Sequence, residues 1–344
     1  MNYRDVILHN CESNSSISWW PRYAYHYTDI TNALEILDCG KLYSRANAQR
    51  LGLMHNDNAS RQVIDMTQTA AISCVRFYFR PLTPTQYHNE GFKHIQLRYD
   101  DDENANVPVP VFFVFDLEKL LQMPGVVFSE KGQSGRGGAI LQSGAEAFSR
   151  LDFKKIYDNG LITSENMPYR HAEILYPSVF AIDACPMSIL CRNNMERISL
   201  LNLLRNRNPL NYRRYQNYIK VCRSNMFENN GLFISDCQYY DGTLSVSFSD
   251  FAAKKRHTAR MKEHNGVESL KPVKFRLELD WYHSRGVVHH LSTDVSIDYE
   301  MCRVFTFTNI PKIEKAKSLR VRLYIENALM CFMEYPLDTS ELIK

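Results

Sequence analysis

No two of the nine cysteines are spaced C-x-x-C, and they lie scattered from Cys11 to Cys331 in odd number. That excludes a disulfide framework and a cysteine zinc site, and it fits a reducing compartment. Long hydrophobic runs are missing too, the longest apolar stretch being the short 107–115 piece, Val-Pro-Val-Pro-Val-Phe-Phe-Val-Phe. It falls well short of the ~20 apolar residues that span a bilayer. The opening M-N-Y-R-D-V-I-L-H-N has no basic segment leading into an apolar run, so no secretory signal and no membrane contact are expected, and the protein should be cytoplasmic. Nor does one sign of charge dominate: 41 Lys and Arg against 38 Asp and Glu leave +3, so a polyanion would have to be met by local patches. His283, His289 and His290 lack ligand-type spacing to other donors, and no metal is expected.

What is present centres on Ser73–Gly91. Val75, Phe77 and Phe79 alternate with Arg76, Tyr78 and Arg80, the pattern of a strand with one apolar face and one cationic, phenolic face. Pro81 and Pro84 end it. A rigid strand feeding a proline-fixed turn suits an anionic ligand, because the backbone cannot relax away from the charge. An amphipathic strand with its arginines in solvent has the same pattern.

Upstream, Tyr23–Thr28 reads as a strand passing into a helix, with Thr28 as N-cap, Ile30, Ala33, Leu34 and Leu37 at helical spacing, and Gly40 as terminator. His26 and Thr28 thus sit at a strand-to-helix junction, where backbone N–H groups favour an anionic or ribose-bearing ligand. A histidine packed at a strand end is the alternative. Downstream, Val126–Phe128 opens into the glycine-rich 129–138, which lacks both the P-loop ending and the Rossmann spacing. It reads as a substrate-contacting loop, with Arg136 placed among nucleic-acid contacts, or as a plain turn.

In the strand Tyr169–Pro177, Ala172, Ile174 and Tyr176 share one face while Glu173 points the other way. A carboxylate among apolar neighbours is costly unless it faces a cavity or a partner, which makes Glu173 the leading catalytic candidate. A solvent-facing edge glutamate would look alike. Between Arg192 and Arg223, eight basic residues face one acid, Glu196, with Tyr212, Tyr215 and Tyr218 interleaved. Cations for phosphates and rings for bases describe a nucleic-acid surface, assigned to Arg205, Arg207, Arg213, Arg214 and Tyr215; a solvated connector is equally compatible. From about 228 the chain becomes strand-rich, with further basic patches at 254–257 and 312–322. The division expected is 1–190, a basic connector 191–227, and a β-rich domain 228–344, in an α+β chain.

The order of these pieces resembles the DarT-type ADP-ribosyltransferase toxins, whose known members modify DNA bases. The resemblance is carried by His26-Tyr27-Thr28 entering a helix, F-Y-F-R-P-L-T-P with Gln86-Tyr87 after it, a strand ending F-S-E at Glu130, L-D-F at 151–153 and R-H-A-E-I-L at 170–175. It spans about residues 20–185. It implies an ADP-ribosyltransferase fold, a split β-sheet core with helices, holding NAD as ADP-ribose donor in its cleft. His26 and Thr28 would match the family's His-x-Thr, and Glu173 its catalytic glutamate. Arg61 is placed as its early arginine, and Arg80 stands before Pro81 where many members have Pro-Arg. On this reading Arg61 or Arg80 neutralises the diphosphate and Tyr78 or Tyr27 stacks on nicotinamide. The acceptor would be a base of single-stranded DNA, and the setting a toxin–antitoxin or phage-defence system with an antitoxin partner. RNA as acceptor, a non-enzymatic nucleic-acid-binding protein and a protein-modifying transferase are the competing readings.

Overall fold

The computed structural model describes residues 2–56, 69–98, 106–133, 139–284, 286–301 and 303–337. Its strands, in chain order, are β1 (Tyr23–Asp29), β2 (Lys41–Tyr43), β3 (Cys74–Tyr78), β4 (Pro110–Asp116), β5 (Val127–Ser129), β6 (Glu173–Pro177), β7 (Val179–Ala181), β8 (Met187–Cys191) and β9 (Ile219–Val221). The second half contributes β10 (Ile234–Tyr240), β11 (Thr243–Phe248), β12 (Val273–His283), β13 (Gly286–Ile297), β14 (Val304–Phe307), β15 (Ser318–Ile325) and β16 (Ala328–Pro336).

Seven strands form one sheet in the order β5-β6-β3-β1-β4-β8-β9, and β2 pairs with β7 beside it. All neighbours in the large sheet run antiparallel except β8 and β9. The apolar run Pro110–Asp116 sits near its middle as β4, buried along almost its whole length. Phe77, Phe115 and Phe180 meet edge-on with centroids 5.1 to 5.6 Å apart. Each such pair adds about 1 kcal/mol beyond area burial. They pin the apolar face of β3, and so fix where Arg76 and Tyr78 emerge on the other.

The helix Ile30–Cys39 begins one residue later than its sequence suggested. Asp29, not Thr28, is the N-cap, its carboxylate accepting from the Thr31 N–H at 3.0 Å. Gly40 ends the helix with φ +69°, as expected of a left-handed cap. The strand expected from Tyr169 is shorter than its pattern: Tyr169–His171 is a 3-10 turn, and β6 starts at Glu173.

Segment 191–227 holds two helices and a strand. Helix Asn194–Arg207 packs on β16, Asn202 Nδ2 donating to the Phe332 carbonyl and the Phe332 N–H to Ser199 Oγ. Helix Pro209–Tyr215 follows, and β9 then joins the large sheet. The β-rich half is made of β10-β11-β14 and β13-β12-β15-β16, with helix Ala252–Asn265 between β11 and β12. Its basic run at 254–257 is not all surface: Lys254 is buried against the Tyr299 carbonyl, and His257 is buried beside Tyr87. Among the described residues no helix is long and apolar enough to cross a membrane.

Candidate active site

β1 and β3 share a single register pair, Tyr25 with Tyr78, and part beyond it. Where the next ladder bonds would form, the His26 imidazole enters, its Nδ1 3.0 Å from the Arg76 carbonyl oxygen. The gap widens into a cleft with His26, Tyr27 and Thr28 on one wall and Cys74, Arg76 and Tyr78 on the other. Asn32 and Glu35 reach it from helix Ile30–Cys39.

A carbonyl can only accept, so the proton lies on His26 Nδ1 and the Nε2 lone pair is left as an acceptor. Burial pushes the imidazole pKa below its ordinary value, against the opposing pull of the Arg76 carbonyl. The ring is therefore neutral at pH 7. Phe77 and Phe113 hold it edge-on at 6.1 and 6.4 Å.

Glu173 opens β6, opposite Tyr78 on one side and Ser129 on the other. Its carboxylate is 1 % exposed and is gripped by Arg76, which donates from Nε to Oε2 at 3.0 Å and from Nη2 to Oε1. This two-point fork fixes the carboxylate plane as well as its charge. Burial opposes the Arg76 charge, but the Glu173 carboxylate, with Tyr78 beside it, outweighs that and raises the guanidinium pKa. One residue thus joins both candidates: its backbone holds His26 and its side chain holds Glu173. β1 and β6 flank β3, two strand spacings or about 10 Å apart.

Around this pair lie weaker titratable groups. His171, in the turn before β6, has its pKa lowered to about 4 by burial and then by the charges of Arg76 and His88. The described part of the glycine-rich loop runs alongside, with the Gly132 N–H donating to the Pro168 carbonyl. Glu35 is the one carboxylate lining the described cleft, and His55 Nε2 and Arg207 hold it at 3.0 and 3.3 Å.

Of the residues singled out from sequence, His26, Tyr27, Thr28 and Tyr78 line the cleft, and Glu173 stands behind its Arg76 wall. Arg61 and Arg136 lie outside the described residues. Arg80 is a correction. It is 1 % exposed, lies past the end of β3, and donates to the carbonyls of Pro81, Ile156 and Asp158 and to Asn159 Oδ1. Its guanidinium sits 4.9 Å from the Trp20 ring, and burial, then the charge of Arg170, lowers its pKa to about 9. Such a group ties Pro81 to loop 156–159 with four of its five N–H donors.

The nucleic-acid set is corrected in part. Arg205 pairs with Glu334, Arg207 with Glu35 and Asp38, and Arg214 with Asp183. Tyr215 is buried, its hydroxyl donating to Asp183, so it offers no ring face to a base. Arg213 is exposed. The residue that pattern reading passed over is Arg76: alternation placed it beside Tyr78, but no local pattern encodes the β3/β6 register that sets it against Glu173.

Among the described residues no group of three or more His, Cys, Asp or Glu could hold a metal ion. A family model described as "DarT: ssDNA thymidine ADP-ribosyltransferase, DarT" matches residues 25–219. Among solved structures, Thermus sp. 2.9 DarT in complex with ADP-ribosylated ssDNA aligns with a TM-score of 0.47 at 18% identity, covering 60% of this chain and 96% of that one. The same protein in complex with NAD+ gives 0.44 at 18%, covering 60% and 98%. Thermosipho africanus DarTG in complex with ADP-ribose gives 0.41 at 13%, covering 54% and 48%. No curated protein matches the chain.

Proposed function

Since the chain belongs to the DarT family, an NAD-dependent family that ADP-ribosylates single-stranded DNA, we propose that the cleft between β1 and β3 binds NAD and that thymidine is the base modified. NAD supplies an ADP-ribosyl group through cleavage of its nicotinamide–ribose bond. What this cleft has to offer fits such a donor. Lys41, Arg45 and Arg76 line it, while Glu35, the one carboxylate lining it among the described residues, is already held by Arg207 and His55, which leaves a net positive wall for a diphosphate.

The residues divide the work. His26 Nε2 accepts from a ribose hydroxyl or an amide N–H, which its fixed tautomer leaves it ready to do. Thr28 orients the same end, and Tyr78 or Tyr27 presents a ring to the nicotinamide. Glu173 accepts from the ribose 2′-hydroxyl and sets negative charge beside the sugar as positive charge develops on it, the logic of glycoside cleavage. It also receives the proton that the thymine nitrogen gives up as its bond to the sugar carbon forms and the nicotinamide leaves. Arg76 takes the diphosphate-facing role first assigned to Arg80. The observation that carries this reading is Arg76, which lines the cleft and contacts His26 through its carbonyl and Glu173 through its guanidinium.

We further propose that β9 belongs to the catalytic unit, with 228–344 as an appended β-rich domain. The protein would act in the cytoplasm as a toxin with an antitoxin partner. Glu173→Gln preserves volume and removes the charge, so transfer of labelled ADP-ribose from NAD to a thymidine-containing oligonucleotide should disappear while NAD still raises the melting temperature. Unchanged labelling would refute the role of Glu173. Labelling of RNA in preference to DNA would refute the acceptor, and nucleoside mass spectrometry would identify the base.

A further inference from the structure

We propose that the groove over β4, β8 and β9 binds a flanking segment of the single-stranded DNA, with bases on Trp19 and Tyr23 and phosphates on Arg197, Lys220 and Arg223. The proposal rests on the ssDNA acceptor above and adds a second contact site to it. While Arg192, Arg205, Arg207 and Arg214 of the basic stretch are neutralised by acids, Arg197, Lys220 and Arg223 make no ion pair among the described residues. Instead they line one groove, and no carboxylate lines it among the described residues. A site with three cations and no acid, in a chain of net charge +3, selects a polyanion.

The aromatic part is built rather than incidental. Trp19 is propped edge-on against the buried Tyr25 at 6.2 Å and lies 6.4 Å from Tyr23, so its ring is held as a platform that pays little entropy on stacking. Arg197 is fixed by its Nε–H donating to the Ile219 carbonyl at 2.9 Å, which leaves its terminal nitrogens for phosphate.

Position ties the groove to the site. Glu173, Tyr78, Tyr25, Val114 and Ser188 pair in succession across β6, β3, β1, β4 and β8. Paired residues of an antiparallel ladder point to one side, so Val114 and Ser188 in the groove floor share the face of Glu173. Val114 is three strands from Glu173, about 14 Å. Met226 and Phe227 pack on Tyr25 and Phe112 between the two, so the strand would pass over them. That span needs only a few nucleotides.

The test is the double variant Lys220→Glu/Arg223→Glu in the full chain, with Trp19→Ala as a second variant and far-UV circular dichroism to show folding. Binding of a fluorescent oligonucleotide of about 20 nucleotides should lose two phosphate contacts, lowering the slope of log affinity against log salt by about 1.4. KM for that oligonucleotide should rise at least tenfold, with kcat on an oligonucleotide of about 4 nucleotides and thermal stabilisation by NAD unchanged. Trp19→Ala should raise KM without altering the salt slope. An unchanged slope and KM would overturn the proposal, as would equal losses on the short and long oligonucleotides. Weakened binding of poly-glutamate with DNA binding intact would assign the groove to an acidic protein and overturn it too. Failure of the wild-type protein to label any DNA would instead refute the ssDNA acceptor itself.

Discussion

Removing Arg76 should be more damaging than removing the carboxylate it holds, although one ion pair is lost either way. The side chain of Glu173 is 1 % exposed, against 23 % for Arg76. Arg76→Ala therefore strands a desolvated carboxylate, at a cost of about 3–5 kcal/mol. Glu173→Ala leaves a guanidinium that already reaches the cleft and can turn to water, so the loss is closer to about 1–2 kcal/mol. The double variant should be more stable than Arg76→Ala alone, a non-additivity of at least ~1 kcal/mol.

Urea unfolding of the three variants, followed by near-UV circular dichroism, measures this. Equal losses for the two single variants or an additive double variant would refute the reasoning.

Other expectations concern neighbouring residues. Arg80→Ala should strip donors from three carbonyls and cost about 3 kcal/mol, lowering yield of folded protein while leaving kcat per folded molecule near wild type; a selective loss of kcat would return Arg80 to the site. Because the His26 pKa is lowered, the imidazole stays neutral below the ordinary ~6.5. Its contribution to stability is present above that value and is lost as pH falls through the folded one, and the acid limb of the kcat profile should lie below 6.5, moving or vanishing in His26→Gln. Gly231 lies against the 90–91 backbone, where an added Cβ would come 2.5 Å from the Glu90 carbonyl oxygen and 2.7 Å from the Gly91 Cα. Gly231→Ala should therefore loosen the joint between the two halves, seen as protease cleavage near 228–232 that the wild-type protein resists.

Much of this was legible in the residues. Period-two alternation located β3 and β6, because burial on one face leaves that trace directly in the chain. Glycine with positive φ marked the end of helix Ile30–Cys39. Glu173 stood out because a charge among apolar neighbours must find a partner. The partner itself did not, since register between strands nearly a hundred residues apart depends on packing that no local pattern encodes. Arg80 misled for the related reason that a guanidinium bound to loop carbonyls and one facing a ligand have the same sequence. Within the basic stretch 192–223, the pairing of Arg205, Arg207 and Arg214 was hidden because their acids, Glu35, Asp38, Asp183 and Glu334, are distant in the chain and meet them only in the fold.

The most direct test of the central claim is a crystal structure of the protein with a non-hydrolysable NAD analogue. The analogue should lie between β1 and β3, with a ribose hydroxyl or the amide on His26 Nε2, the 2′-hydroxyl of the nicotinamide ribose on Glu173 and the diphosphate near Arg76. Density for the analogue in another cleft, or bound in this one without contact to either His26 or Glu173, would contradict the account.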